Sequence, residues 1–192
     1  MANSDDCTPI RRIYGVYVRE TPISFELEVP SESEVRGRIE GVLERDPWLV
    51  CEHEGEVVGY AYATPFRGRE AYQWSVESSV YVDDRYYRNG VARGLYESLF
   101  AILELQAYVG AFAGIALPNT ASVGLHESMG FEPVGIYRNV GYKDGEWHDV
   151  GWWQRLIRSP PADPTPPRPV DEVRDCSGWD DALSAGASSI RL

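Results

Sequence analysis

YVDDRYYRNGVARGLYESLF, residues 81–100, begins as a strand and ends as a helix. Tyr81-Val82 reads as β-structure and runs into an acidic turn. Arg88-Asn89-Gly90-Val91-Ala92 follows, after which Leu95, Leu99 and Ile102 recur on one helical stripe. A glycine and two further small residues, Ala92 and Gly94, stand where strand hands over to helix, as if something lies close to the backbone there. The first amides of a helix have no partner inside it and sit at the positive end of its dipole. A pyrophosphate fits such a place, with Arg88 adding charge. A tight packing turn would use the same residues. The segment is not a Walker loop, because no Gly-Lys-Ser/Thr follows, and its glycine spacing is not that of a dinucleotide fingerprint.

Upstream, Asp6 or Thr8 is placed to cap a helix with Pro9 in its first turn, and Ile10, Ile13, Tyr14 and Tyr17 continue it. Ser31 and Glu34 form a capping box for a second helix, which ends at Asp46-Pro47. Trp48 to Cys51 and Val57 to Thr64 read as a hairpin around Glu54-Gly55-Glu56, and Ala71 to Val82 as a long strand. Downstream, the helix from Val91 to about Gln106 is followed by a small-residue strand, Tyr108 to Leu117. A short helix, Ala121 to Met129, is stopped by Gly130. Phe131 to Tyr142 and Trp147 to Ile157 read as two strands joined at Lys143-Asp144-Gly145.

The chain has 192 residues, 43% of them hydrophobic, enough for one core and too few for two ordinary domains. Residues 1–158 are expected to form that domain. From Ser159 the run SPPADPTPPRPV lacks the amide donors that helices and central strands need. Residues 159–192 are therefore expected to be an extended or disordered tail. A net charge of −12 argues against nucleic acid and anionic membrane as partners. Three scattered cysteines, Cys7, Cys51 and Cys176, have no metal-ligand spacing and suit a reducing cytoplasm. MANSDDCTPI has no basic region followed by an apolar run, so a secretory signal is not expected.

Arg88 to Ala92 resembles the acyl-CoA loop of the GNAT N-acetyltransferases, Gln/Arg-x-x-Gly-x-Gly/Ala, with Tyr87 in its first position. ALPNTASVGLHESMGFEPVG, residues 116–135, resembles the second signature of that family, with His126 where many members carry a tyrosine. WLVCEHEGEVVGYAYA, AYQWSVESSVYV, GLHESMGFEPVG and KDGEWHDVGWWQ together resemble its phosphinothricin (methionine sulfoximine) acetyltransferase branch. The resemblance covers residues 2 to 158. It implies an α/β (α+β) GNAT fold, a mixed and mostly antiparallel sheet with helices on both faces. The strand that usually precedes the first helix has no counterpart in this sequence.

The resemblance also implies roles. Acetyl-CoA would be the co-substrate, with no metal. Main-chain groups of Val80, Tyr81 and Val82 would pair with its pantetheine amides. Amides of Arg88, Asn89, Gly90, Val91, Ala92 and Arg93 would hold its pyrophosphate, and Asn119 would bond the pantetheine arm. Glu77, sharing a strand face with Ser79 and Tyr81, would be the catalytic base, and a carboxylate in such apolar sequence suits that task. A structural carboxylate paired with Arg67 or Arg69 is the other reading. His126 would return a proton to the thiolate; on its stripe it can equally be a core residue. Arg67 and Arg69 suit the carboxylate or phosphinate of an amino acid, or form a solvated loop. His148 would orient substrate or merely bond near Asp149, and Tyr72, Trp74, Tyr142 and Trp147 would wall a pocket or only pack. The acceptor would be the α-amine of phosphinothricin, methionine sulfoximine or methionine sulfone. Another small amine, or acyl-CoA binding without turnover, are the alternatives. Homodimers are expected.

Overall fold

The structure is a computed structural model describing residues 1–192. Its helices are α1 (Cys7–Glu20), α2 (Glu32–Leu43), α3 (Val91–Leu105), α4 (Thr120–Ser128), α5 (Val170–Val173) and α6 (Trp179–Ser184). Its strands are β1 (Trp48–His53), β2 (Glu56–Pro65), β3 (Ser75–Val82), β4 (Gly110–Leu117), β5 (Glu132–Lys143) and β6 (Glu146–Leu156). One six-stranded sheet runs in the order β1-β2-β3-β4-β6-β5. All neighbours are antiparallel except β3 and β4. No strand precedes α1, and the Ala2 amide donates to the Trp48 carbonyl at 2.8 Å along the outer edge of β1.

Local chemistry explains most of these boundaries. Ser31 and Glu34 form the expected capping box reciprocally. The start of α1 differs from expectation: Asn3 and Asp6 cap a short 3₁₀ turn that leads into the helix. The β1–β2 and β5–β6 hairpins turn at Glu54-Gly55 and Asp144-Gly145, with both residues of each pair at positive φ. The strand expected from Ala71 starts at Ser75, because Glu70–Tyr72 close a 3₁₀ turn instead.

Each face of the sheet carries a core. Ile10, Ile13, Val35, Ile39, Trp48 and Tyr60 pack beneath α1 and α2. The larger cluster, with Val76, Leu95, Tyr96, Leu99, Ile102 and Phe131, lies under α3. Residues 159–169 have no regular structure, but the extended or disordered tail expected over 159–192 is otherwise not what the structure has. Val170 and Val173 are fully buried, and Trp179 and Ala182 nearly so, all in the larger cluster. These four apolar side chains cover the side of α3 that the sheet leaves open, and that burial offsets the cost of ordering the segment. No helix is long and apolar enough to cross a membrane.

Candidate active site

The site begins where a pairing ends. β3 and β4 are in parallel register only at Ser75–Gly110, Val76–Ala111 and Glu77–Phe112. Beyond that the strands splay, and a cleft opens between Ser78–Tyr81 on one side and Ala113–Ala116 on the other, closed by Asn119, Ser122, His126, Tyr96 and Ile23.

Register decides which main-chain groups face this cleft. Asp83 donates to Val58 at 2.9 Å and Phe66 donates to Ser75 at 3.2 Å, so the odd-numbered residues of β3 are the hydrogen-bonded partners of β2. Val80 and Val82 turn their amides and carbonyls towards the cleft. Tyr81, expected to offer its backbone to the pantetheine, points that backbone at Tyr60 of β2 instead. The Tyr17 hydroxyl donates to the Val82 carbonyl at 2.7 Å and accepts from its amide at 3.3 Å. The Tyr87 hydroxyl stands 2.9 Å from that of Tyr17, so the residue in the first position of the loop expected to hold acyl-CoA joins this network.

The turn expected to hold a phosphate has the geometry that suits an anion. Gly90 is the N-cap of α3 with φ 79°, a left-handed conformation that favours glycine, and Arg88 holds φ 65°. No side chain caps α3, and its first internal bond runs from the Gly94 amide to the Gly90 carbonyl at 2.9 Å. The amides of Val91, Ala92 and Arg93 are left to a ligand. The Arg93 guanidinium is turned away, donating to Ser128 at 2.7 Å. Asn119 caps α4 by accepting from the Ser122 amide at 3.0 Å, which leaves its own NH₂ group as a donor on the cleft wall. An uncapped helix start and an unpaired strand edge are what a phosphate-bearing, amide-containing chain such as acetyl-CoA needs.

Glu77 and His126 stand on opposite faces of the sheet. Glu77 is half-buried on the α1 side, opposite Phe112 in register, and burial raises its carboxyl above the usual range while Arg67 pulls it partway back. Arg67 is exposed, but its guanidinium is seated on aromatic rings: it lies 4.1 Å over the Phe66 ring and 5.4 Å from that of Trp152, and Phe66 stacks on Phe112 at 4.1 Å. Arg69 is exposed, and Tyr72 is exposed with its ring edge-on to Phe66 at 6.1 Å. His148 lies elsewhere, beside Phe25, with Nε2 3.1 Å from the Lys143 carbonyl. Trp74 donates its indole N–H to Thr165 at 2.8 Å, and Tyr142 and Trp147 are exposed on the β5–β6 hairpin, so these three do not wall the pocket.

On the α3 side, His126 is buried. Its Nδ1–H donates to the Ser122 carbonyl at 2.8 Å, which leaves Nε2 to accept from the Tyr96 hydroxyl at 3.1 Å. Burial lowers its pKa, and the Ser122 carbonyl opposes this. Tyr96 is raised chiefly by burial, with the Ser78 hydroxyl beside it pulling the other way. Ser78 and Tyr96 connect the cleft to His126. Nothing local in the sequence marks Tyr96 as a partner of a residue thirty positions on.

Lys143, read from sequence only as a turn residue, is buried with no carboxylate beside it. Its ammonium donates to the carbonyls of Val18, Thr21 and Ser24 at 2.6, 2.9 and 2.7 Å. Two of these bracket Ile23, the residue of the α1–α2 loop that reaches the cleft.

Comparison with known proteins agrees with this geometry. Residues 1–152 match the model of the acetyltransferase (GNAT) domain. The chain is 42% identical over 172 residues to phosphinothricin N-acetyltransferase of Streptomyces viridochromogenes, covering 90% of this chain and 93% of that one. It is 31% identical over 154 residues to the L-methionine sulfoximine/L-methionine sulfone acetyltransferase of Salmonella typhimurium, covering 80% and 90%. Among solved structures, a GNAT superfamily phosphinothricin acetyltransferase from Sinorhizobium meliloti in complex with AcCoA superposes with a TM-score of 0.81 at 30% identity, covering 88% of this chain and 95% of that one.

Proposed function

This chain belongs to the GNAT family of acetyl-CoA-dependent N-acetyltransferases, and from that premise we propose that its acceptor is the α-amine of a small, glutamate-like or methionine-derived amino acid. Phosphinothricin, methionine sulfoximine and methionine sulfone lead the candidates, as the substrates that its relatives are named for. The observation that carries the proposal is the half-buried Glu77 carboxyl at the end of the β3–β4 contact, within the electrostatic reach of Arg67. A half-buried carboxylate of raised pKa stands beside a guanidinium held on aromatic rings.

Acetyl-CoA supplies an activated acyl group. The residues of the chain do the rest. Arg67 pairs with the acidic end of the acceptor. Glu77 takes a proton from the ammonium, directly or through water, and frees the lone pair that attacks the thioester carbon. The new C–N bond forms as the C–S bond breaks, the acylated nitrogen gives up its second proton to water, and the thiolate needs a proton. Tyr96 and His126, hydrogen-bonded to each other at the cleft, are the groups able to return it. Val80 and Asn119 hold the pantetheine arm, and the amides at the start of α3 hold the pyrophosphate. Arg69 and Tyr72 would act as outer contacts of the acceptor.

A homodimer is supported by the apolar strip of Ile136, Tyr137, Val140, Tyr142 and Trp147 on β5 and β6, each about half exposed. A cytoplasmic location is supported by three free cysteines. The test of function is thiol release from acetyl-CoA with L-phosphinothricin, L-methionine sulfoximine, L-methionine sulfone, polyamines and peptides. Turnover confined to the first three supports the reading, and turnover only on polyamines or peptides rejects it.

A further inference from the structure

Past residue 152 the chain leaves the part that the family model matches and crosses back over it. Thr165 accepts from Trp74 at the start of β3, and Pro167 accepts from the Arg45 guanidinium at 3.0 Å. The Arg168 amide donates to Gln106 at 2.9 Å, at the C-terminal end of α3. α5 and α6 then bring the chain back along α3 to its N-terminal turn.

There it seats in a groove. Gly90, Gly94 and Ser98 recur every fourth residue and share one side of α3. The Gly186 amide donates to the Ser98 hydroxyl at 3.1 Å, and the Ser189 hydroxyl donates to Glu97 at 2.6 Å. A Cβ on Gly94 would stand 2.6 Å from the Gly186 carbonyl, and a Cβ on Gly90 would collide with that of Ser189. The small residues of α3 therefore admit this segment. The last contact falls on the phosphate-binding turn itself: the Arg191 amide donates to the Asn89 carbonyl at 2.9 Å.

Asn89 C=O and Gly90 N–H belong to one planar trans peptide and point in opposite directions. Drawing the carbonyl towards the C-terminal segment aims the Gly90 amide away from it, at the start of α3 where a phosphate would sit. A peptide that precedes a glycine is otherwise free to rotate. We propose that residues 186–191 are a positioning element for the acetyl-CoA site, with the Arg191 main-chain amide locking the Asn89–Gly90 peptide in its phosphate-binding orientation.

Arg191→Pro removes that donor, and Ile190, at φ −90° and ψ 134°, already has the backbone that a residue before proline adopts. Arg191→Ala keeps the amide. Acetyl-CoA binding is measured by calorimetry, and turnover with acetyl-CoA and with S-acetyl-pantetheine, which has no pyrophosphate. Arg191→Pro should weaken acetyl-CoA about three- to tenfold, with kcat, acceptor KM and the use of S-acetyl-pantetheine unchanged. Arg191→Ala should match the parent. Deleting residues 187–192 should weaken acetyl-CoA at least as much as Arg191→Pro. Parental affinity in both Arg191→Pro and the deletion overturns the proposal. So does equal weakening by Arg191→Ala, or tighter binding after deletion, which would make the segment an obstruction. A parent chain that does not bind acetyl-CoA at all rejects the cofactor site itself, a separate failure visible before any variant is made.

Discussion

The hydroxyl of Tyr96 and Nε2 of His126 lie 3.1 Å apart, joining α3 to α4 at the floor of the cleft. If the pair returns a proton to the leaving thiolate, Tyr96→Phe lowers kcat by about tenfold, a barrier increase of about 1.4 kcal/mol. Acetyl-CoA affinity should not change, because the ring that packs against Phe100 and Phe131 remains. Steady-state kinetics with direct binding checks both halves. The same pair has a pH signature in stability. The folded-state pKa of His126 is below its ordinary 6.5, so its contribution is present above that value and lost as pH falls through the folded one. Denaturant midpoints measured from pH 7.5 down to 5 should drop more steeply in the parent than in His126→Asn.

Glu77 gives an opposite pairing of stability and activity. Its folded-state pKa is raised by burial, so the stability linked to it is present below the unfolded value and lost as pH rises through the folded one. At neutral pH the ionised carboxylate is a cost to the fold. Glu77→Gln should raise the thermal midpoint at pH 7.5 and cut kcat at least tenfold, with acetyl-CoA affinity near that of the parent. Calorimetry and a turnover assay on one preparation decide it. Unchanged turnover would remove Glu77 from the chemistry.

Arg67 acts on the same carboxylate through its charge. Removing a cation that favours the ionised form raises the pKa of Glu77 further. In Arg67→Met the acid limb of the kcat/KM profile should move to higher pH, and the KM of an acidic amino acid should rise about tenfold. A profile of unchanged position would mean that Glu77 does not set the acid limb.

Lys143 predicts a split between the two substrates. Lys143→Met leaves three carbonyls without their donor, each worth about 1–3 kcal/mol if it stays buried. The α1–α2 loop should loosen and Ile23 should leave the cleft. Acceptor KM rises about tenfold while that of acetyl-CoA holds. Kinetics with each substrate varied in turn, together with amide exchange over residues 21–26, measures both effects.

These residues mark what sequence could and could not give. Capping at Ser31-Glu34, the turns at Glu54-Gly55 and Asp144-Gly145, and the helix stripe after Gly90 are local signals, and each element they define is present. The strand-to-helix turn at Arg88–Ala92, proposed above for acyl-CoA, was legible for the same reason. Which β3 residues face the cleft was not, because strand alternation is visible in sequence but its phase depends on pairing with β2. Tyr17 with Val82, Tyr96 with His126 and Lys143 with the α1–α2 loop join residues far apart in the chain, and no local pattern announces them. Proline content hides the helices within residues 159–192, because buried Val170, Val173 and Trp179 are too sparse to show a period.

The ammonium of Lys143 reaches carbonyls that lie 119 to 125 positions earlier in the chain. Contacts of such long sequence separation close large loops and form late in folding. The α1–α2 loop is made early by the ribosome but cannot be held until β5 has joined the sheet beside β6. In a refolding experiment followed by pulsed amide exchange, residues 21–26 should gain protection after the β1–β2 hairpin, together with β5. The acceptor side of the cleft would then be the last part of the site to take shape.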